Sequence, residues 1–348
     1  MKILHITKGS EGGLENISKR IFLDAKSKKM HQKIIYFYNY GDKFYREFKK
    51  EKLRPFDFKE EVFFVNLFKN FKDLKKADLI HVHHVKTWIL FSYLFLYKNK
   101  IIYSLHGNFG SDLKKNFLIK LIISFIINYI AIFSKRLIFL NNAQKENLNR
   151  YALFKKSLEK KSIIINNFIE KKRIIKNKKK FNNKVLFVGR YTKLKGFEDL
   201  IKLAKDTRDI NFYLIGNNSF KSNIPNLKNL GKIDNSKIFR EYDKYSILIL
   251  PSYTESWGLV ILEAMSRGLV VLASNLSAIK EYFKEGRNGY LFPPGDTEKM
   301  KELILYLKNN PKEIERISKN NLKDIHKFTA EKQVPKYLKF YKEVLNEK

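Results

Sequence analysis

The chain has no cysteine among its 348 residues. That excludes disulfides and thiolate metal sites, and it is compatible with a reducing compartment without requiring one. No signal peptide is expected either: MKILHITKG has a charge at residue 2 and a short apolar stretch whose β-branched pattern reads as a first strand. No apolar run reaches the ~20 residues of a spanning helix. Acidic residues are scarce, 35 Asp and Glu against 70 Lys and Arg, which leaves a formal net charge of +35 and a pI of about 9.9. Such a balance fits nucleic acid, an anionic membrane surface, or a compositional bias toward Lys, Asn and Ile. The chain lacks a zinc finger, an RNP sequence and a basic heptad zipper, so nucleic acid is not an expected partner.

At 348 residues the chain exceeds the size at which one hydrophobic core usually splits, ~250–300 residues, and two domains of similar size are expected. Strand-like and helix-like segments alternate, the pattern of an α/β chain with parallel sheets and helical crossovers. Strand candidates in the first half are KILHI, KIIYFY, ADLIHVH, KIIYSLH and RLIFL; in the second half they are KVLFVG, INFYLIG, SILILPS and GLVVLAS. The charge-dense stretch 170–183 is placed as the linker, with an exposed loop inside one domain as the alternative. FTAEKQVPKYLKFYKEVLNEK reads as one or two helices interrupted by Pro335.

Two segments carry chemistry. In PSYTESWGLVILEAMSRG, residues 251–268, a buried-strand run ends and Gly258 lets the chain turn into a helix at Leu259. The first free N–H groups of that helix suit a phosphate. Glu255 precedes the turn and Glu263 lies on the second turn of the helix, so Glu255 would meet a sugar and Glu263 a ribose. In KVLFVGRYTKLKGFEDLIKLA, residues 184–204, an apolar strand ends at Gly189-Arg190, and Lys195-Gly196 opens another helix. Arg190 grips phosphate oxygens in a fork while Lys195 supplies a compact charge, a division of labour suited to a pyrophosphate without a metal.

With these two segments, the chain resembles the retaining glycosyltransferases of family 4. FVGRYTKLKG and ESWGLVILEA are similar to that family's donor-binding segments, and MKILHITKGSEGGLENISKRI, ADLIHVHH, YSLHG and IIINNFIE follow in the family's order. The resemblance implies a GT-B fold: two facing Rossmann-like, doubly wound domains with the donor site in the cleft. Expected boundaries are 1–170 for an acceptor-side domain, 171–183 for the linker, 184–325 for the nucleotide-sugar domain and 326–348 for a helix returning to the first domain. It also implies that Gly12 and Gly13 lie on a phosphate-facing loop, and that donor contacts come from Gly189, Arg190, Lys195, Glu255, Gly258, Leu259 and Glu263. In the family a histidine at the position of His106 faces the reacting sugar. His106, Arg190, Lys195 and Glu255 are therefore the expected catalytic group, with front-side transfer in which the leaving diphosphate takes the acceptor's proton. No cofactor and no metal are expected.

Some residues depart from the family pattern. Asn141 and Asn142 stand where a serine is common, Trp257 is a bulky neighbour for Gly258, and Asn217 follows Gly216 in place of glycine. His81 and His83 alternate on one strand face while His84 points away, and without a nearby Cys, Asp or Glu they read as hydrogen-bonding groups at the sheet edge rather than as zinc ligands. The segment 112–136 is strongly apolar between lysines; it is either a core helix or a helix lying on a bilayer, and TWILFSYLFLY reads as a core helix. The implied partners are a nucleotide-sugar donor, a glycan or lipid-linked glycan acceptor and an anionic membrane surface at the inner face of the cell membrane, in lipopolysaccharide, O-antigen or capsule biosynthesis. The alternatives are a GT-B nucleotide-sugar epimerase and a non-catalytic module that binds glycan or membrane.

Overall fold

A computed structural model describes residues 1–8, 17–18, 20–21, 31–37, 71–83, 96–107, 117–175, 179–216, 220, 223–234 and 237–347. Gly12, Gly13, His84, Asn217 and most of TWILFSYLFLY lie outside the described residues. The chain forms two compact units, one of residues 1–166 with 333–348 and the other of residues 167–332.

The first unit is built on a parallel sheet of β1 (Lys2–Lys8), β2 (His31–Phe37), β3 (Leu79–His83), β4 (Ile101–Ser104), β5 (Arg136–Phe139) and β6 (Ser162–Ile164), in the order β2-β1-β3-β4-β5-β6. Its helices include α1 (Phe71–Lys76), α2 (Phe117–Phe133), α3 (Asn142–Asn149) and α4 (Lys155–Lys161). The strands are short apolar runs because both sheet faces are covered. Leu4, Ile6, Ile80, Val82, Tyr103 and Phe139 meet Ile127, Ile130 and Ala131 of α2 in one cluster.

The second unit repeats the plan with β7 (Lys184–Val188), β8 (Asn211–Ile215), β9 (Leu227–Asn229), β10 (Ile247–Leu250), β11 (Val270–Ser274) and β12 (Gly289–Phe292), in the order β12-β11-β10-β7-β8-β9. The connecting helices are α5 (Phe197–Asp206), α6 (Ile238–Tyr242), α7 (Leu259–Ser266), α8 (Ser277–Lys280), α9 (Thr297–Asn309) and α10 (Pro311–Asp324). Every pairing between named strands in both sheets is parallel. In each sheet the winding reverses once, between β1 and β3 and between β7 and β10, and ligands of open α/β sheets bind at such reversals.

The stretch 170–183 falls within the second unit. Lys179 is buried, with its ammonium donating to the carbonyls of Asp243 at 3.0 Å and Tyr242 at 3.5 Å. The guanidinium of Arg173 lies 4.5 Å from the centre of the Phe239 ring. Backbone carbonyls and an aromatic face take up charges that the sequence displays as a solvated run.

The last helix, α11 (Ala330–Asn346), is one helix that carries Pro335 inside it, so the interruption expected there does not occur. Proline forfeits one N–H bond, to the carbonyl of exposed Glu331, while Val334, Tyr337, Leu338 and Tyr341 on the same helix are buried. Burial of that stripe outweighs one lost bond at a helix start.

Candidate functional site

β7 and β10 are neighbours in the sheet, pairing through Ile247 with Val185 and Leu248 with Leu186. The two loops that leave their carboxyl ends therefore run side by side. Gly196 makes the approach possible: it adopts a left-handed conformation, and a Cβ there would stand 1.9 Å from the carbonyl oxygen of Pro251. The Tyr253 amide donates to the Leu194 carbonyl at 2.9 Å, joining the loops backbone to backbone.

Across this seam Lys195 donates to Glu255 Oε1 at 2.5 Å, and the Ser252 hydroxyl donates to the same oxygen at 2.9 Å. The pair is half-sheltered, with side-chain exposures of 22% for Lys195 and 9% for Glu255. Arg190 is exposed on the loop that follows Gly189. Ion-paired lysine and exposed arginine thus sit on the same loop.

Gly258 is left-handed and precedes α7, whose start has no side-chain cap. The first N–H groups of α7 are consequently presented without a competing acceptor from the N-cap side chain. Glu263, on the second turn, accepts from the Tyr242 hydroxyl at 2.8 Å. Desolvation pushes the Glu263 carboxyl up to about 7, against smaller opposing effects of the Tyr242 hydroxyl and the Arg173 charge. Trp257 is buried at 2% exposure and stacks on Tyr282 at 4.5 Å between ring centres, while the Tyr282 hydroxyl donates to the Trp257 carbonyl at 2.5 Å. The bulky residue before Gly258 is therefore a core anchor for the turn.

The reversal point of the first sheet gathers histidines. His5, His81, His83 and His106 are all buried. His5 lies opposite His81 in the β1–β3 ladder. His5 Nδ1 stands 3.2 Å from His83 Nε2, and His83 Nδ1 stands 3.5 Å from His106 Nε2. His81 uses both ring nitrogens, at 2.6 Å from the Tyr341 hydroxyl and 2.6 Å from the Ser104 hydroxyl. His5, His81 and His83 also offer nitrogens within 4.8 Å of one another, a spacing open to a metal ion. An ion there would have to displace a hydrogen bond of His81.

Four residues with a hand in these sites escaped the reading of the sequence. Tyr242 holds Glu263, Ser252 holds Glu255, and His5 joins the histidine group. The alternation of His5 on the first strand with apolar residues was the visible signal for His5; a lone Tyr or Ser gives none. The fourth is Gln144. Asn141 caps α3 by accepting from the Gln144 amide at 2.7 Å. Gln144 Nε2 then donates to the carbonyls of Leu105 at 3.1 Å and Gly107 at 3.0 Å, gripping the chain on both sides of His106.

Residues 168–324 match the family model described as glycosyl transferases group 1. The chain is 29% identical over 289 residues to the uncharacterized glycosyltransferase MJ1178 of Methanocaldococcus jannaschii, covering 79% of this chain and 78% of that one. It is 25% identical over 297 residues to the O-antigen biosynthesis glycosyltransferase WclY of Escherichia coli, covering 79% and 81% of the two chains. Among solved structures, Anabaena Alr3699/HepE in complex with UDP and glucose superposes with a TM-score of 0.78 at 17% identity over 99% of this chain and 100% of that one, a likeness of fold. The matched segment holds both loops of the second-unit site, and the chain is a glycosyltransferase of the GT-B fold.

Proposed function

We propose that the enzyme transfers a sugar, with retention of anomeric configuration, from a nucleotide-sugar donor to a glycan or lipid-linked glycan acceptor in bacterial surface polysaccharide assembly, as in O-antigen, capsule or lipopolysaccharide. The observation that carries this reading is the Lys195–Glu255 pair at the β7–β10 reversal, beside a helix start without a side-chain cap. In this reading Arg190 and Lys195 neutralise the departing diphosphate, and the amides at Gly258 and Leu259 cradle it. Glu255 fixes sugar hydroxyls, Glu263 accepts from the ribose, and Gly189 allows close backbone approach. Gly12, Gly13 and His106 complete the set of residues that the family resemblance assigns to the reaction. The leaving diphosphate takes the acceptor's proton as the new glycosidic bond forms on the same face, so no carboxylate nucleophile is required. Two cations and the helix start supply the stabilising charge, and neither a metal nor a cofactor enters the scheme.

UDP-sugars are the first donors to try, because the Anabaena protein holds UDP and glucose. The acceptor side has a surface suited to a lipid-linked substrate. α2 packs one face on the first sheet and leaves Leu121, Ile122, Phe125 and Ile132 exposed at 45–62%. Two of its polar residues, Ser124 and Asn128, tether the following segment: the Ser124 hydroxyl donates to the Tyr151 carbonyl at 2.7 Å, and Asn128 Oδ1 accepts from the Leu153 amide at 2.8 Å. That places Leu153, 79% exposed, and Phe154, 51% exposed, with exposed Lys155 and Lys156 following. Apolar side chains with lysines at the margin are the composition of a bilayer contact. Among the described residues no helix is long and apolar enough to cross a membrane.

The test is nucleotide diphosphate release from purified enzyme with UDP-, GDP-, ADP- and CMP-sugars, with and without membrane extract as acceptor source. Release that needs both one donor class and the extract supports transfer. An acceptor-independent change of the donor sugar would support the epimerase reading, and no release with any donor would support a binding module.

A further inference from the structure

His83 is the middle ring of a three-imidazole chain. Its Nε2 meets His5 Nδ1 at 3.2 Å and its Nδ1 meets His106 Nε2 at 3.5 Å. The ring planes are nearly parallel, at 15° for His5 and His83 and 22° for His83 and His106, and with centres 5.5 Å and 5.7 Å apart the rings meet edge to edge. Burial, reinforced by the neighbouring imidazoles His81, His5 and His106, holds His83 well below the ordinary imidazole range, so the ring is neutral. The groups facing it from neighbouring elements are His5 on β1, His81 on β3 and His106 beyond β4, with Tyr337 and Tyr341 of α11 over His81.

A neutral imidazole has one N–H and one lone pair. Both contacts of His83 are satisfied in only two ways. If His5 Nδ1–H donates to His83 Nε2, then His83 Nδ1–H donates to His106 Nε2, and His106 carries its proton on Nδ1. If His106 Nε2–H donates to His83 Nδ1, then His83 Nε2–H donates to His5 Nδ1, and all three rings carry the proton on Nε2. Mixed tautomers leave a buried N–H against an N–H or a lone pair against a lone pair, each a costly unmade bond.

We infer that His5 and His83 are positioning residues that hold His106 in the tautomer common to all three rings, in one or the other of these two concerted arrangements. Gln144 fixes the backbone on either side of His106, and the imidazole chain fixes its proton. His106 therefore meets its substrate with a set donor or acceptor nitrogen and no proton to rearrange, which is the form of preorganisation that speeds a reaction. This rests on the reading of His106 as part of the reaction; the tautomer itself does not.

Two measurements test it. Long-range ¹H–¹⁵N correlation spectra of the ¹⁵N-histidine-labelled full chain are expected to show His5, His83 and His106 in one common tautomer, with His106 losing its single-tautomer pattern in His83→Gln. Mixed tautomers in the wild type, or about one equivalent of bound metal after purification without chelator, overturn the inference. For turnover, Asn at position 83 keeps a polar atom near the Nδ1 position that meets His106, whereas Gln keeps one near Nε2 and loses that contact. His83→Gln is expected to lower kcat about 100-fold, the scale of a misplaced group, with the donor KM little changed, and His83→Asn to recover most of the loss. Equal kcat in two variants with matching thermal melts overturns the positioning role. Unaltered turnover in His106→Ala, with common tautomers still seen, refutes the catalytic assignment of His106 alone.

Discussion

At the scale of single residues the account turns on charge held in place before the substrate arrives. Removing a group aimed at developing negative charge typically costs ~3–4 kcal/mol in the transition state. Lys195→Ala and Arg190→Ala are each expected to lower kcat by about 10²–10³-fold. Thermal melts of these variants should stay within a few degrees of the wild type, because neither side chain is part of a core cluster. Steady-state kinetics beside a melt checks both halves of that statement.

Glu263 gives a prediction in pH. Its carboxyl is raised from 4.5 to about 7, mainly by desolvation. The native chain keeps a proton that the unfolded chain releases, so the stabilising contribution is complete below the unfolded value of about 4.5 and is lost as pH rises through about 7. The full shift corresponds to roughly 3 kcal/mol, and the partial exposure of the residue reduces it to roughly 2 kcal/mol. Melting temperatures between pH 5 and 8 should fall more steeply for the wild type than for Glu263→Gln. Donor affinity should move the other way, strengthening as the carboxylate forms near pH 7 and accepts ribose hydroxyls; titration calorimetry at pH 6 and 8 reads it.

At the scale of elements, α2 resolves a sequence that was legible only in part. A stretch apolar on every side gives no period from which to tell a buried helix from an interfacial one. The structure divides it: Ile127, Ile130 and Ala131 are core, while Leu121, Ile122 and Phe125 are exposed. Phe125→Asp with Leu153→Asp is expected to abolish sedimentation with anionic liposomes while sparing release of nucleotide diphosphate to a soluble acceptor. Binding that survives both substitutions would place the membrane contact elsewhere.

The strands show why some elements read easily. Nine runs rich in Ile, Val, Leu and Phe announced nine strands, because a parallel sheet covered on both faces demands such runs. β6, β9 and β12 are the short strands at sheet edges, three or four residues each, and sequences such as Leu227–Asn229 hold too little apolar character to stand out. The two loops at the β7–β10 reversal stand out in the sequence because glycine, cations and carboxylates fall at fixed distances from a strand end. Tyr242 and Gln144 were not, since each acts through a contact across 21 and 37–39 residues of chain that only the folded unit creates.

At the scale of the whole molecule, two units each carry a parallel sheet with a single reversal, and each reversal gathers the polar residues of a site. The net charge of +35 spreads well beyond the β7–β10 loops, as befits an enzyme whose proposed donor and proposed membrane surface are both anionic. The central claim is that the second unit's β7–β10 loops bind a nucleotide sugar through Arg190, Lys195, Glu255 and Glu263. The direct measurement is thermal unfolding of the full chain against UDP-, GDP-, ADP- and CMP-sugars, with Glu263→Ala alongside. A ligand at a hundred times its Kd adds about 2.7 kcal/mol, enough for a clear rise in melting temperature. The account predicts such a rise with one nucleotide class in the wild type and its loss in Glu263→Ala; no rise with any donor, or an equal rise in both proteins, would contradict it.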